Sequence, residues 1–529
     1  MKWKSTFSSW EFRAGASSGL LLALSAPPLP LGFLGYVALV PILVLFFQPE
    51  AIRARWQPDL RILALSFGFA RYAVQLHWLV LLGDASPLSF RWALPFMLLL
   101  LVLYLTLADW IFFWLLRKLR TAAGAQAIWW FPGLWILFEW SRALGDMGFP
   151  WLRLASTQLH YVPMIQIAGL LGELGVSLFV LWINVLIALA WQGWRAGFPG
   201  LGRAVLSRWW APTSLLLLMG FNMMYGFATI RQLDASDAKL DTLEVGVIQA
   251  NVDLNDKWDS SKRDSTFVPY TSLTRGVARQ GARLVIWPET AIPLDILRNP
   301  VYLERVRQIV RSNEIHLIAG FPEHTVRDDG RLESYNSSFQ MDEAGVIRDR
   351  YRKMHLLAFG ESMPFQHLVP LLGKWDLGQA EWSRGPEQTV FEVDGFRCVV
   401  LICFESIFSN QARSAVMGGA GFLVNITNDG WFGDTILPYQ HASLAVMRAA
   451  ENRVPLVRCA NNGLSFWVDA AGRVHQQTSL FHRESFTTLL RPRPGGSIYT
   501  RYGDIPLFLL IAAGFAFLLL VRRVASAPD

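Results

Sequence analysis

A chain of 529 residues that is 53% hydrophobic and only 17% charged, with a positive mean hydropathy, is too apolar for an ordinary soluble protein of its length. The net charge of +7 fits Lys and Arg held in cytoplasmic loops better than a nucleic-acid partner, because no basic cluster is interleaved with aromatics. Three cysteines, Cys398, Cys403 and Cys459, with no CxxC pair, exclude a disulfide framework and a structural zinc site.

Apolar stretches suited to bilayer helices of about 20 residues lie near 15-31, 32-48, 60-82, 92-116, 127-143, 164-192 and 209-229, with one more near 505-521. The break Pro27-Pro28-Leu29-Pro30 separates the first two and predicts a tight hairpin. Lys2, Lys4 and Arg13 before an apolar run also match the order of a signal peptide. The apolar stretch resumes directly after the prolines, however, and no small-residue cleavage site stands out. Arg53, Arg55 and Arg61, then Arg117, Lys118 and Arg120, then Arg195, Arg203 and Arg208, and finally Arg522 and Arg523 fall on the same side as the N-terminal cluster. That side is the cytoplasm if positive charge stays inside. The long polar segment after the seventh span is then expected on the outer face.

From about Leu233 the pattern changes to short apolar runs divided by polar turns. Runs at 244-249, 283-287, 315-320, 397-402 and 421-426 read as buried strands, rich in Val and Ile. Helical stretches around 264-280, 300-312, 408-417 and 438-451 suggest an α/β sandwich. The expected organisation is a helical membrane region over 1-232, a globular domain over 233-500, and a last span with a tail over 501-529.

Cys403 follows the strand-like run Arg397 to Ile402 and precedes a helix. A thiol on such a turn is exposed at a sheet edge beside a helix N-terminus, a placement that suits a nucleophile. A free cysteine is equally at home as a small buried hydrophobe. Glu289, in Trp287-Pro288-Glu289-Thr290-Ala291, is held at a strand end by proline and could serve as the base an unactivated thiol needs; a helix cap is the plainer reading. Lys353 closes the charged run Arg348-Asp349-Arg350-Tyr351-Arg352. It is a surface charge unless it turns inward, where its ammonium could stabilise an oxyanion.

Together with their surrounding words these residues resemble the nitrilase superfamily, whose Glu-Lys-Cys triad occurs in this chain order. Over nearly its full length the chain resembles the apolipoprotein N-acyltransferase family. The matching words are WPETA at 287-291, YRKMHLLAFGE at 351-361, CFES at 403-406, NDGWFGD at 428-434, PYQH at 438-441 and NNG at 461-463, with FEW at 138-140 and GFPW at 148-151 in the membrane region. The resemblance implies a polytopic α-helical membrane bundle of about eight spans carrying an extramembrane nitrilase-like α-β-β-α sandwich.

It further implies Glu289 as general base, Lys353 as oxyanion stabiliser and Cys403 as nucleophile. Glu361 is implied as a supporting carboxylate, Glu405 as a neighbour of the nucleophile, and Trp258 and Trp431 as residues near the acyl-chain entrance. Salt bridging for the two carboxylates and interface anchoring for the tryptophans are the plainer alternatives. Phe404 stands where the family commonly has tyrosine, so no phenol hydroxyl acts there, although its backbone N–H could join an oxyanion hole. Ala358 replaces a common proline. The implied reaction moves a fatty acyl chain from a phospholipid, with phosphatidylethanolamine as the implied donor, to the α-amine of a diacylglyceryl-cysteine apolipoprotein. The implied place is the bacterial inner membrane with the domain on the periplasmic face.

The apolar segment Phe365 to Leu377 is expected to be an arm dipping into the outer leaflet, with Trp375 at headgroup level. No glycine-rich phosphate loop and no HExxH or paired Cys/His spacing occurs, so neither ATP nor a metal cofactor is indicated. Two other readings stand beside the acyltransferase. One is a membrane-tethered amidase or nitrilase with water as acceptor. The other is a transporter, for which Arg71, Asp109 and Glu139 are the ionisable candidates within the spans.

Overall fold

The computed structural model describes residues 9–48, 57–85, 91–195, 203–327, 330–365, 368 and 382–525. Four helices are long and apolar enough to cross a membrane, Leu60–Leu82, Leu94–Trp129, Met164–Arg195 and Trp209–Asp237, and two shorter apolar ones run over Gly32–Phe46 and Ile505–Leu520. Trp10–Ser25 and Phe131–Ser141 are further apolar helices. Each of the eight expected stretches therefore carries helix, but only four reach spanning length among the described residues. Proline explains part of the shortfall: the first helix stops before Pro27, and Pro132 sits in the opening turn of Phe131–Ser141.

Among the described residues, the domain after Leu233 holds twelve strands in two six-stranded sheets. In chain order they are β1 (Leu243–Gln249), β2 (Leu284–Ile286), β3 (His316–Val326), β4 (Leu332–Met341), β5 (Ile347–Arg352) and β6 (Val390–Val393). There follow β7 (Phe396–Ile402), β8 (Phe422–Thr427), β9 (Leu456–Ala460), β10 (Phe466–Val468), β11 (Val474–His475) and β12 (Glu484–Leu490). The first sheet has the order β12-β1-β2-β3-β4-β5 and the second β11-β10-β9-β8-β7-β6. Each has a parallel centre, β1-β2-β3 and β7-β8-β9, with antiparallel strands at its edges.

The two-residue side-chain period sorts the layers. Val245, Val247, Leu284, Ile286, Val400, Ile402, Val424 and Ile426 fill the space between the sheets, together with Cys398 and Cys459. Ile248, Val285 and Leu317 face outward onto the helices Arg263–Arg279 and Pro300–Asn313. Val399, Leu401 and Leu423 face the helices Ser409–Met417 and Leu437–Asn452. The result is a helix-sheet-sheet-helix stack in which each fully buried aliphatic chain contributes about 1.5–3 kcal/mol.

Domain and helical region share three apolar clusters, two of them large. Ala155, Ile165, Ala168 and Val176 pack with the helices on the second sheet. Tyr72, Trp78, Leu105, Trp151 and Leu152 pack with Phe404, Ile407, Leu437 and Leu444. A buried ionic bridge adds to this contact: Glu173 accepts from both Arg153 and Arg448 at 2.8 Å, and Arg448 pairs with Glu451 at 3.1 Å. The turn after β7 is thus seated against the membrane helices.

Candidate active site

Three loops gather beyond the carboxyl ends of the parallel strands, where α/β sheets commonly leave a crevice. The first begins after β2. Trp287 is fully buried and donates through Nε1 to Thr274 at 2.9 Å, and Thr290 takes a left-handed φ of 47°. The loop lies directly on Gly320 of β3. A Cβ there would come within 2.6 Å of the Thr290 nitrogen and 2.8 Å of the Glu289 Cα, so only glycine lets the loop settle. Glu289 is buried, accepting at one oxygen from Asn336 Nδ2 (2.7 Å) and at the other from the Asn428 amide (2.9 Å). Burial raises its pKa above the ordinary glutamate value, and the Lys353 charge partly opposes the rise.

Lys353 follows β5, whose pairing with β4 carries the Lys353 amide to the Asn336 carbonyl at 2.9 Å. Only 1% of its side chain is exposed. The ammonium donates to Glu361 Oε1 at 2.8 Å and lies 3.9 Å from Glu289 Oε1. Burial alone would depress it, but the surrounding Glu361, Cys403 and Glu289 charges hold it above the usual lysine range. Glu361 is fixed in turn by Asn336 (3.3 Å) and by the Leu357 amide (2.8 Å). The plainer expectation of a surface lysine therefore fails: Arg350 and Arg352 turn to Glu323, both at 2.7 Å, while Lys353 turns inward.

Cys403 leaves β7 with a left-handed φ of 52° and starts a tight turn, Cys403–Ile407, before the helix Ser409–Met417. Burial pushes its thiol above the ordinary cysteine range; the Glu289 charge adds to this and Lys353 opposes it. Glu405, two residues after Cys403, is fully buried. It accepts at Oε1 from the Tyr351 hydroxyl (2.7 Å), Met354 amide (2.7 Å) and His355 amide (3.1 Å), and at Oε2 from the Ile402 amide (2.8 Å). In that position it ties the turn after β7 to the segment after Lys353. Phe404 packs edge-on against Phe408 in the cluster shared with the membrane helices.

Glu289, Lys353, Glu361 and Cys403 line one cavity of about 1730 Å³. Trp258 and Trp431 line it as well, 45% and 39% exposed. Its other wall comes from the helical region, including Leu79, Phe96, Leu100 and Tyr104. The expected arm from Phe365 to Leu377 lies outside the described residues beyond Phe365 and Leu368.

Several contributors were not foreseen. Asn336 bridges Glu289 and Glu361 from β4, a polar strand with no periodic signal. Lys257, 1% exposed, donates to the Glu289 carbonyl (3.1 Å) and the Thr290 hydroxyl (3.0 Å). Burial lowers its pKa to about 7. Its place beside Trp258 was the available clue.

The fold and the site define the class: a two-sheet hydrolase-type domain joined to apolar membrane helices. Residues 244–491 match the carbon-nitrogen hydrolase family model, and residues 18–186 match the apolipoprotein N-acyltransferase N-terminal domain. An apolipoprotein N-acyltransferase of Geobacter metallireducens is 33% identical over 98% of this chain and 96% of its own. One of Vibrio cholerae is 31% identical over 95% and 96%. A solved amidase from Nesterenkonia sp. is 18% identical, with a TM-score of 0.39, over 51% of this chain and 96% of its own. The chain belongs to the apolipoprotein N-acyltransferase family, and it is a membrane protein.

Proposed function

We propose that the protein N-acylates apolipoproteins in two steps through a thioester on Cys403. In the first step Glu289 takes the Cys403 proton as sulfur attacks an ester carbonyl of a phospholipid. Lys353 stabilises the oxyanion, the C–O bond to glycerol breaks, and Glu289 returns the proton to the departing lysophospholipid. In the second step the α-amine of a diacylglyceryl-cysteine attacks the thioester and Glu289 accepts its proton. The C–S bond breaks, and the sulfur recovers a proton from Glu289. Glu361 holds the Lys353 ammonium, Glu405 supports the turn after β7, and Trp258 and Trp431 flank the acyl chain. A backbone N–H, that of Phe404, completes the oxyanion hole.

The shared cavity carries this reading. Base, cation and thiol open onto a chamber whose far wall is apolar membrane helix, so an acyl chain can reach the sulfur without crossing water. About eight spans over 1-232 and 501-529 carry the catalytic domain over 233-500 in this reading. The protein lies in the bacterial inner membrane with the domain on the periplasmic face, and phosphatidylethanolamine is the donor.

Mass spectrometry of the purified protein incubated with phosphatidylethanolamine tests it. One added acyl mass is expected, absent in Cys403→Ala and released by a lipopeptide amine but not by water. Release by water alone would make the protein a hydrolase, and no adduct at all would end the thioester route.

A further inference from the structure

The words NDGWFGD and PYQH meet behind the nucleophile. His441, 2% exposed, comes from the first turn of Leu437–Asn452 and places Nε2 3.1 Å from the Cys403 carbonyl oxygen. That carbonyl can only accept, so Nε2 carries the proton. Nδ1 faces a charged pair, Asp429 Oδ1 at 3.0 Å and Arg458 Nη2 at 3.1 Å. The pair is itself joined, Arg458 Nη2 donating to Asp429 Oδ2 at 2.8 Å, and both members are buried. Neighbours on the second sheet keep the arrangement rigid: Arg458 Nη1 donates to Asn425, whose amide reaches the Cys403 carbonyl at 3.4 Å. On the remaining side Trp151 lies over the imidazole, 6.0 Å between centroids and 27° between planes, which shields the contact from water.

We infer that His441 is a positioning residue for the nucleophile: by donating to the Cys403 carbonyl, with Nδ1 accepting from Arg458, which Asp429 holds in place, it holds the left-handed turn that aims the sulfur into the cavity. The inference rests on Cys403 being the nucleophile. His441 does not line the cavity, so it acts through Cys403 and exchanges no proton with substrate. A cysteine is poorly suited to φ of 52°, and such a conformation persists only where surrounding bonds over-determine it. The carbonyl receives three side-chain donors, Ser406 Oγ at 3.0 Å being the third, and of these only His441 lies against both members of the charged pair.

The test uses the full-length protein with His441→Phe, which keeps a flat ring but no donor, and His441→Gln, whose amide can reach the same carbonyl. The first readout is the rate at which Cys403 is alkylated by iodoacetamide without lipid, by intact mass against a Cys403→Ala blank. The second is the rate and KM of acyl-adduct formation with phosphatidylethanolamine. His441→Phe should slow both rates by about tenfold or more, as a displaced reacting atom does, with KM unchanged, and His441→Gln should restore most of each. Wild-type alkylation in His441→Phe, or no rescue by His441→Gln, overturns the inference. If His441→Phe does not fold, Asp429→Asn takes its part: slowed alkylation of the folded protein supports the inference and unchanged alkylation overturns it. Should the wild type form no acyl adduct while the alkylation pattern holds, the acyl-transfer reading fails and the positioning role stands.

Discussion

The two sheets supply the site in different ways. The first contributes Glu289 and Lys353, charged groups held in a side-chain network: Asn336 ties Glu289 to Glu361, and Glu361 ties down the ammonium, while the Asn428 amide after β8 holds the other Glu289 oxygen. The second contributes Cys403, whose place is set by backbone, through its left-handed φ and the donors gathered on its carbonyl. Substitutions on the first sheet should therefore change charge and proton affinity, whereas those on the second should change aim.

The sharpest break of that contrast is Glu289→Gln, which keeps the shape and the Asn428 contact but removes the proposed base. It should slow thioester formation by about 10²–10⁴-fold with alkylated Cys403 still obtainable at high pH; single-turnover mass spectrometry decides, and a loss below tenfold would undo the division. Lys353→Met comes next, at about 10²–10³-fold from the loss of the proposed oxyanion stabiliser. It also strands the buried Glu289 and the part-buried Glu361, so thermal unfolding should register a loss of about 3–5 kcal/mol. Gly320→Ala changes no charge at all. Its Cβ would press on the Glu289 loop, lowering stability by about 1–3 kcal/mol and slowing acylation with normal Cys403 alkylation at high pH.

The smallest effect is on pH dependence. Because burial raises the Glu289 pKa, kcat/KM should fall as pH drops through a midpoint above the ordinary glutamate value of about 4.3. The Glu361 charge adds to that rise and Lys353 opposes it, so Glu361→Gln should shift the acid limb to lower pH. An unmoved limb in that variant would show that the two carboxylates do not share a field.

Much of this could be read from the sequence because apolar periodicity reports burial. The runs at 244-249, 397-402 and 421-426 became β1, β7 and β8, and the four helices beside the sheets fell within a few residues of their expected limits. β4 and β5 were invisible because their sequences, LESYNSSFQM and IRDRYR, have no aliphatic alternation; β4 is placed by pairing with β3, and β5 by pairing with β4. Asn336 was lost with them. Lys353 could be named from its surrounding words, but its inward turn depends on Glu361 eight residues later and on Glu289 from another loop, distances no local pattern reports. The helix positions in the membrane region were legible, whereas spanning length was not, since prolines shorten helices inside stretches that remain apolar throughout.

The turn at Cys403 has a consequence for how such a chain can change. Its backbone dihedral is one that glycine adopts freely and that a side chain resists, so the fold tolerates an uncomfortable residue at the very spot of the proposed nucleophile. Breeding this protein for heat resistance alone, with no demand for turnover, would work against the sulfur, and a hardened descendant would keep its architecture while falling silent.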